Sequence, residues 1–134
     1  MNLAVAVQDI LLATSGVTAI VGTGSSAKVW NDWQRTGDVP CVVVEIDGEE
    51  EQNDLDGIGE LIFSELTVTC RAATEAGAHA LWLVVRRALA AYAGGGLDLI
   101  VDDTQHARVP KDDGSTGHWY DYVISVTAQR TEEQ

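Results

Sequence analysis

A chain of 134 residues, 46% of them apolar, is long enough for one domain with its own core and too apolar to be disordered throughout. Its formal charge of −13 argues against a nucleic-acid ligand, because binding phosphates rests on Lys and Arg neutralising them. DNA could still pass close by without sticking, repelled within a Debye length of about 8 Å. The longest helical apolar run is interrupted by Arg86 and Arg87 and is too short for a bilayer, so no membrane partner is expected. The N-terminus lacks the basic region and cleavage site of a signal peptide, which points to synthesis in the cytoplasm.

Asn2 can cap a first helix with the stripe Leu3, Val7, Ile10, Leu11 and Thr14, ended by Gly16. Val17 to Val21 reads as a further helical turn, and Gly22 to Ser26 as a loop. Lys28 to Trp33 suits a short strand, followed by a turn through Gly37 and Asp38. Pro40 can begin a strand in which Val42, Val44 and Ile46 alternate with Val43, Glu45 and Asp47.

From Asp47 to Glu60 the chain carries Asp47, Glu49, Glu50, Glu51, Asp54, Asp56 and Glu60 and no Lys or Arg. Residues 47–59 therefore read as a long, solvated and mobile hairpin loop. A strand follows with Ile62, Leu66, Val68 and Cys70 on one face and Glu65, Thr67, Thr69 and Arg71 on the other. Ile58, Leu61 and Phe63 place apolar side chains on both faces at its start, the mark of a contact with a partner.

The period then changes. Ala78, Leu81, Trp82, Val85, Ala88, Leu89 and Tyr92 recur at helical spacing, with Thr74 as N-cap, Glu75 in the first turn and Gly94 to Gly96 as the stop. Leu97 to Val101 is a short strand, and His106 to Thr116 a polar loop. In the last strand, Trp119 to Arg130, Tyr120, Tyr122, Ile124, Val126 and Ala128 face Asp121, Ser125, Thr127 and Gln129. Residues 131–134 form a charged, frayed tail. Hairpin-length links favour antiparallel pairing, so the expectation is a single α+β domain over 1–134. It would be a mainly antiparallel sheet with the long helix and the N-terminal helix packed on one face.

Few chemical motifs survive inspection. Gly22-Thr-Gly24-Ser-Ser-Ala27 spells a dinucleotide fingerprint, but it follows a helical patch and precedes a strand, the reverse of what phosphate binding needs. The acidic stretch fails as a calcium loop: with Gly57 in sixth place, Gln52 and Phe63 fall where the two end ligands belong. His79, His106 and His118 lack metal spacing, no GxSxG elbow occurs, and Cys41 and Cys70 lie in strand-like runs as buried small apolar residues. No catalytic residue, cofactor or metal site is expected. Arg86 and Arg87 beside the helix stripe read first as a solvated face and second as a protein contact. Trp82 belongs to the core. Trp30, Trp33 and Arg35 in a loop-rich region, with Trp119 at the last strand's start, are candidate contact residues together with Ile58, Leu61 and Phe63.

Taken together, these segments resemble the tail terminator, or tail completion, proteins of long-tailed bacteriophages. The resemblance rests on organisation. An N-terminal helix is followed by Gly16-Val17-Thr18-Ala19-Ile20-Val21-Gly22, then the short strand at Lys28–Trp30 and the strand start Val39-Pro40-Cys41-Val42-Val43. The strand ending Thr67-Val68-Thr69-Cys70-Arg71-Ala72 turns at once into an alanine-rich helix, and an aromatic strand like Trp119 to Val126 closes the chain. Where the family often has an arginine–isoleucine–tyrosine–proline string, this chain has Lys28-Val29-Trp30-Asn31, and its acidic loop is unusually long. The resemblance implies a structural protein at the head-proximal end of the virion tail. Subunits would form a homohexameric ring that ends the tail tube, meeting the major tail tube protein on one side and the head–tail connector or stopper on the other. DNA would pass through the lumen without specific binding. Glu49, Glu50, Glu51, Asp54 and Asp56 would face the lumen or a neighbouring ring. The alternatives are a neighbouring connector or stopper, a minor tail protein, or a cytosolic protein-binding adaptor of the same fold.

Overall fold

A computed structural model describes residues 3–24, 27–31, 39–53, 59–92, 97–111 and 116–133; of residues 49–53, 59–63 and 130–133 it describes the backbone alone. The expected Asn2 cap, the Gly37–Asp38 turn and the Gly94–Gly96 stop lie outside those residues. The chain runs α1 (Leu3–Leu12), α2 (Ser15–Val21), β1 (Val29–Trp30), β2 (Cys41–Asn53), β3 (Gly59–Ala72), α3 (Glu75–Ala91), β4 (Leu97–Pro110) and β5 (His118–Glu133). This is the expected α+β architecture. One sheet has the order β1-β2-β3-β5-β4, antiparallel throughout except that β1 runs parallel to β2.

The helices cover one face, here the helix face. Val7 and Leu11 of α1, Val17 and Val21 of α2, and Leu81, Val85 and Leu89 of α3 pack on Val42, Val44, Leu66, Val68, Cys70, Ile124, Val126 and Ala128. These are the positions picked out by the two periodicities, since burial of one strand face and one helix stripe is what generates them. Thr74 caps α3 as expected, its hydroxyl accepting from Gly77 N–H at 3.1 Å. Both cysteines are fully buried, Cys70 on the helix face.

Several expectations need correction. Gly16 does not end the first helix. α1 stops at Leu12, Thr14 O–H donates to Ile10 C=O at 2.9 Å, and Gly16 lies in the first turn of α2, where a Cβ would sit 3.4 Å from Val84 Cγ1. The glycine marks a close approach of α2 to α3 rather than a stop. Trp82 is half-buried rather than core, because its indole N–H donates to Thr104 Oγ1 at 3.1 Å and so sits at the rim.

Two strands are also longer than their patterns suggested. Residues 47–53, read as the first half of a mobile loop, continue β2, with Glu49 paired to Ser64 and Asn53 to Glu60. Residues 102–110, of which those from His106 on were read as loop, continue β4 to Pro110, paired to His118. In both strands the alternation is broken by a bulge, between Ile46 and Gly48 in β2 and between Val101 and Asp103 in β4. A bulge shifts the two-residue period by one, and the residues beyond it are almost wholly polar, so no apolar alternation marks the pairing that goes on.

Candidate assembly surfaces

The bulges occupy matching places. Asp47 is the extra residue in β2 and accepts a hydrogen bond from Thr67 Oγ1 of β3. Asp102 is the extra residue in β4 and accepts one from Thr127 Oγ1 of β5. Each outer strand is thus stitched to its inner neighbour across the face opposite the helices, the second face.

The inner half of that second face is itself buried. Arg71 of β3 and Asp121 of β5 stand opposite one another in the ladder and form a two-bond ion pair, Nε to Oδ1 at 2.8 Å and Nη2 to Oδ2 at 2.9 Å, both side chains less than a tenth exposed. The planar guanidinium fork matches the carboxylate and satisfies both oxygens. Cys41, Val43 and Thr69 are buried in the same region. Trp119 is buried too, paired with Val109 and lying under Lys111, whose Nζ is 4.4 Å from the ring centre. Its Nε1 makes no hydrogen bond within the described residues. The outer half of this face is polar and open, with Glu65, Ser125 and Asp103 exposed.

On the helix face a row of rings climbs from α3 onto the sheet. His79 and Trp82 lie 5.1 Å apart, Trp82 and Tyr122 stack at 5.5 Å, and His106 meets Tyr122 at 5.5 Å. Arg86 lies over the Trp82 ring at 5.9 Å. Between α1, α2 and α3 a groove of about 540 Å³ is lined by Ile10, Ala13, Val84, Ala88, Tyr92 and Arg87 among others. No group of three metal-ligating side chains occurs among the described residues. No single helix among them is long and apolar enough to cross a membrane. Gly22 follows α2 and the next strand is β1, so among the described residues no α-helix opens on the Gly22–Ala27 segment.

The candidate contact residues are dispersed. Trp30 is half-buried in β1, and Trp119 is inside the fold. Trp33, Arg35, Asp54, Asp56 and Ile58 fall outside the described residues. Glu49, Glu50 and Glu51 lie along the outer part of β2, and Leu61 and Phe63 pair with Gln52 and Glu50 at the start of β3.

What the sequence did not single out are the sheet edges. β1 covers β2 only at Val42 and Val43, leaving Val44 to Asn53 without a neighbour on that side among the described residues. The 14-residue β4 is the opposite edge. Ile46 on β2 is 43% exposed and Ile100 on β4 is 49% exposed; with Val5 they are the large apolar side chains left open among the described residues. Proteins that remain monomeric usually shorten, charge or cover such edges.

No curated protein matches the chain. Among solved structures, a chain from the virion of a native gene transfer agent particle is similar, with a TM-score of 0.63 and 25% identity over 97% of this chain and 95% of that one. The family model for the tail completion protein gp17 matches residues 5–119, from α1 to the start of β5. The chain belongs to the tail completion protein gp17 family, and is a structural protein of the virion tail.

Proposed function

We propose that this protein ends the tail tube on its head-proximal side by assembling into a ring, which then presents a surface to the head connector. The observation that carries this reading is the pair of long edges open among the described residues at opposite ends of one sheet, β2 beyond Val43 and the whole of β4. A ring requires two different surfaces on each subunit, one for each neighbour, and two unlike edges supply them. The family match and the likeness to a virion chain support the placement. The reading is structural throughout and assigns no reaction.

The acidic residues Glu49, Glu50 and Glu51, with Asp54 and Asp56 beyond them, serve in this reading to keep the DNA path non-adhesive, since a wall of like charge repels the phosphate backbone. Replacing all three glutamates with glutamine is expected to slow genome ejection; unchanged ejection would remove that role.

The direct test is negative-stain imaging of purified protein mixed with tail-tube subunits. Capped tubes of limited length, with a ring at one end, are expected. A protein that stays monomeric and leaves tube lengths unaltered would refute the ring.

A further inference from the structure

We infer that the ring seam is an antiparallel pairing of the β4 edge of one subunit with the β2 edge of the next, and that Ile46 of one copy packs against Val101 and Leu99 of its neighbour. This rests on the ring reading above and names the surfaces that the ring would use.

Strand direction is the first support. β2 and β5 run one way and β3 and β4 the other, because each adjacent pair among them is antiparallel. A second copy placed by rotation about an axis along the strands keeps its directions. Its β2 therefore meets the first copy's β4 antiparallel, with the better hydrogen-bond geometry and no need to turn either subunit over.

The second support is height. The ladders connect Ile46 to Leu66, Leu66 to Val126 and Val126 to Val101, one apolar row across four strands. Its inner members, Leu66 and Val126, are buried. Its ends are Ile46, 43% exposed, and half-buried Val101. A neighbour at the same level sets Val101 beside Ile46 and carries the row on into the next subunit. An offset of two residues sets Leu99 there instead and keeps the same face. An offset of one residue would put exposed Ile100 against Ile46 and is excluded by parity, since Ile100 pairs with Thr127 and belongs to the second face. Copies that meet level close into a ring, whereas copies displaced along the axis continue as a helix.

β1 limits the seam. It already holds Val42 and Val43, so the neighbour's β4 can join β2 only from Val44 outward. The Asp102 bulge bends β4 near the level where the neighbour would run into β1. Closure gives every subunit two such seams. The next row along ends in Glu45 on β2 and Asp103 on β4, paired through Thr67 and Ser125. The seam sets these two residues on adjacent strands of neighbouring copies.

Cysteine pairs test the seam. The native thiols are fully buried and stay out of the way. Ile46→Cys combined with Val101→Cys or with Leu99→Cys should give covalent ladders of several subunits on oxidation, because directly opposed strand residues meet the distance for a disulfide. Ile46→Cys with Ile100→Cys should not, and Ile46→Cys alone should give no dimer. Ile46→Lys, at an exposed site, should leave the monomer folded by circular dichroism and lower the ring fraction about tenfold or more. Rings that form while only the Ile100 pair cross-links, or none of the three pairs does, would overturn the seam and leave the ring reading standing. A disulfide dimer of Ile46→Cys alone would show an isologous contact and overturn it likewise. Absence of rings in the presence of tubes would remove both the ring reading and the seam.

Discussion

Asp121→Ala is the substitution for which the structure sets the firmest expectation. Asp121 and Arg71 are buried on the second face and bonded at 2.8 and 2.9 Å across the centre of the sheet. Removing the carboxylate leaves the guanidinium desolvated without its principal counter-charge, a loss of about 3–5 kcal/mol for buried pairs. Arg71 keeps other interactions, which places the expected value near 3 kcal/mol. For a chain of this size that lowers Tm by about 10 °C. The double substitution Arg71→Met with Asp121→Leu removes both charges and should recover most of the loss, because well-packed apolar residues replace such pairs with little penalty. Urea unfolding of the wild type, Arg71→Met, Asp121→Leu and the double variant closes a cycle that isolates the pair. A single-variant loss below about 1 kcal/mol, the range of exposed ion pairs, would show that the site is wet and the burial argument wrong.

Further substitutions probe single elements. Thr74→Ala removes the hydroxyl that caps α3 at Gly77 and should lower stability by about 1 kcal/mol in the same urea assay. Gly16→Ala should raise it by about 0.5–1 kcal/mol, since the new Cβ reaches only ordinary contact with Val84 while the helical backbone loses a glycine; Gly16→Val should overpack the α2–α3 approach and reverse the sign. Burial, with Cys41 and Asp121 adding to it, pushes the Cys70 thiol well above its ordinary value of 9.0. Below that value both folded and unfolded chains hold the proton and the contribution to stability is intact. As pH rises through it, only the unfolded chain ionises, so stability should fall on the alkaline side, and Cys70→Ala should flatten that decline in pH-dependent melts.

The short-range features of this protein were open to reading because local periodicity records burial. The alternation of Leu66, Val68 and Cys70, the helical stripe through Leu81, Val85 and Leu89, and the Thr74 cap each depend on residues a few positions apart. The two bulges escaped for the same reason. The stretches beyond them, residues 48–53 and 103–110, are almost wholly polar and leave no apolar period to read, so much of them passed for polar loop although pairing continues through them. Low hydrophobicity in these stretches belongs to paired edge strands rather than to absent structure. Asp121, placed on a polar face by its parity, is buried because Arg71, fifty residues away in the chain, is set opposite it by the β3–β5 ladder.

The sequence by itself determined the class of the fold, the residues of the helix-face core and the resemblance to tail completion proteins, all of which follow from pattern and order along the chain. Tertiary structure alone decided the strand order. With it came the opposite directions of β2 and β4, the level placement of Ile46 and Val101, and the two edges open among the described residues, β2 beyond β1 and β4 at the other end. Those are relations between segments brought together only by long-range hydrogen bonding. An edge has no signature of its own in sequence, because what defines it is the neighbour that the fold does not supply.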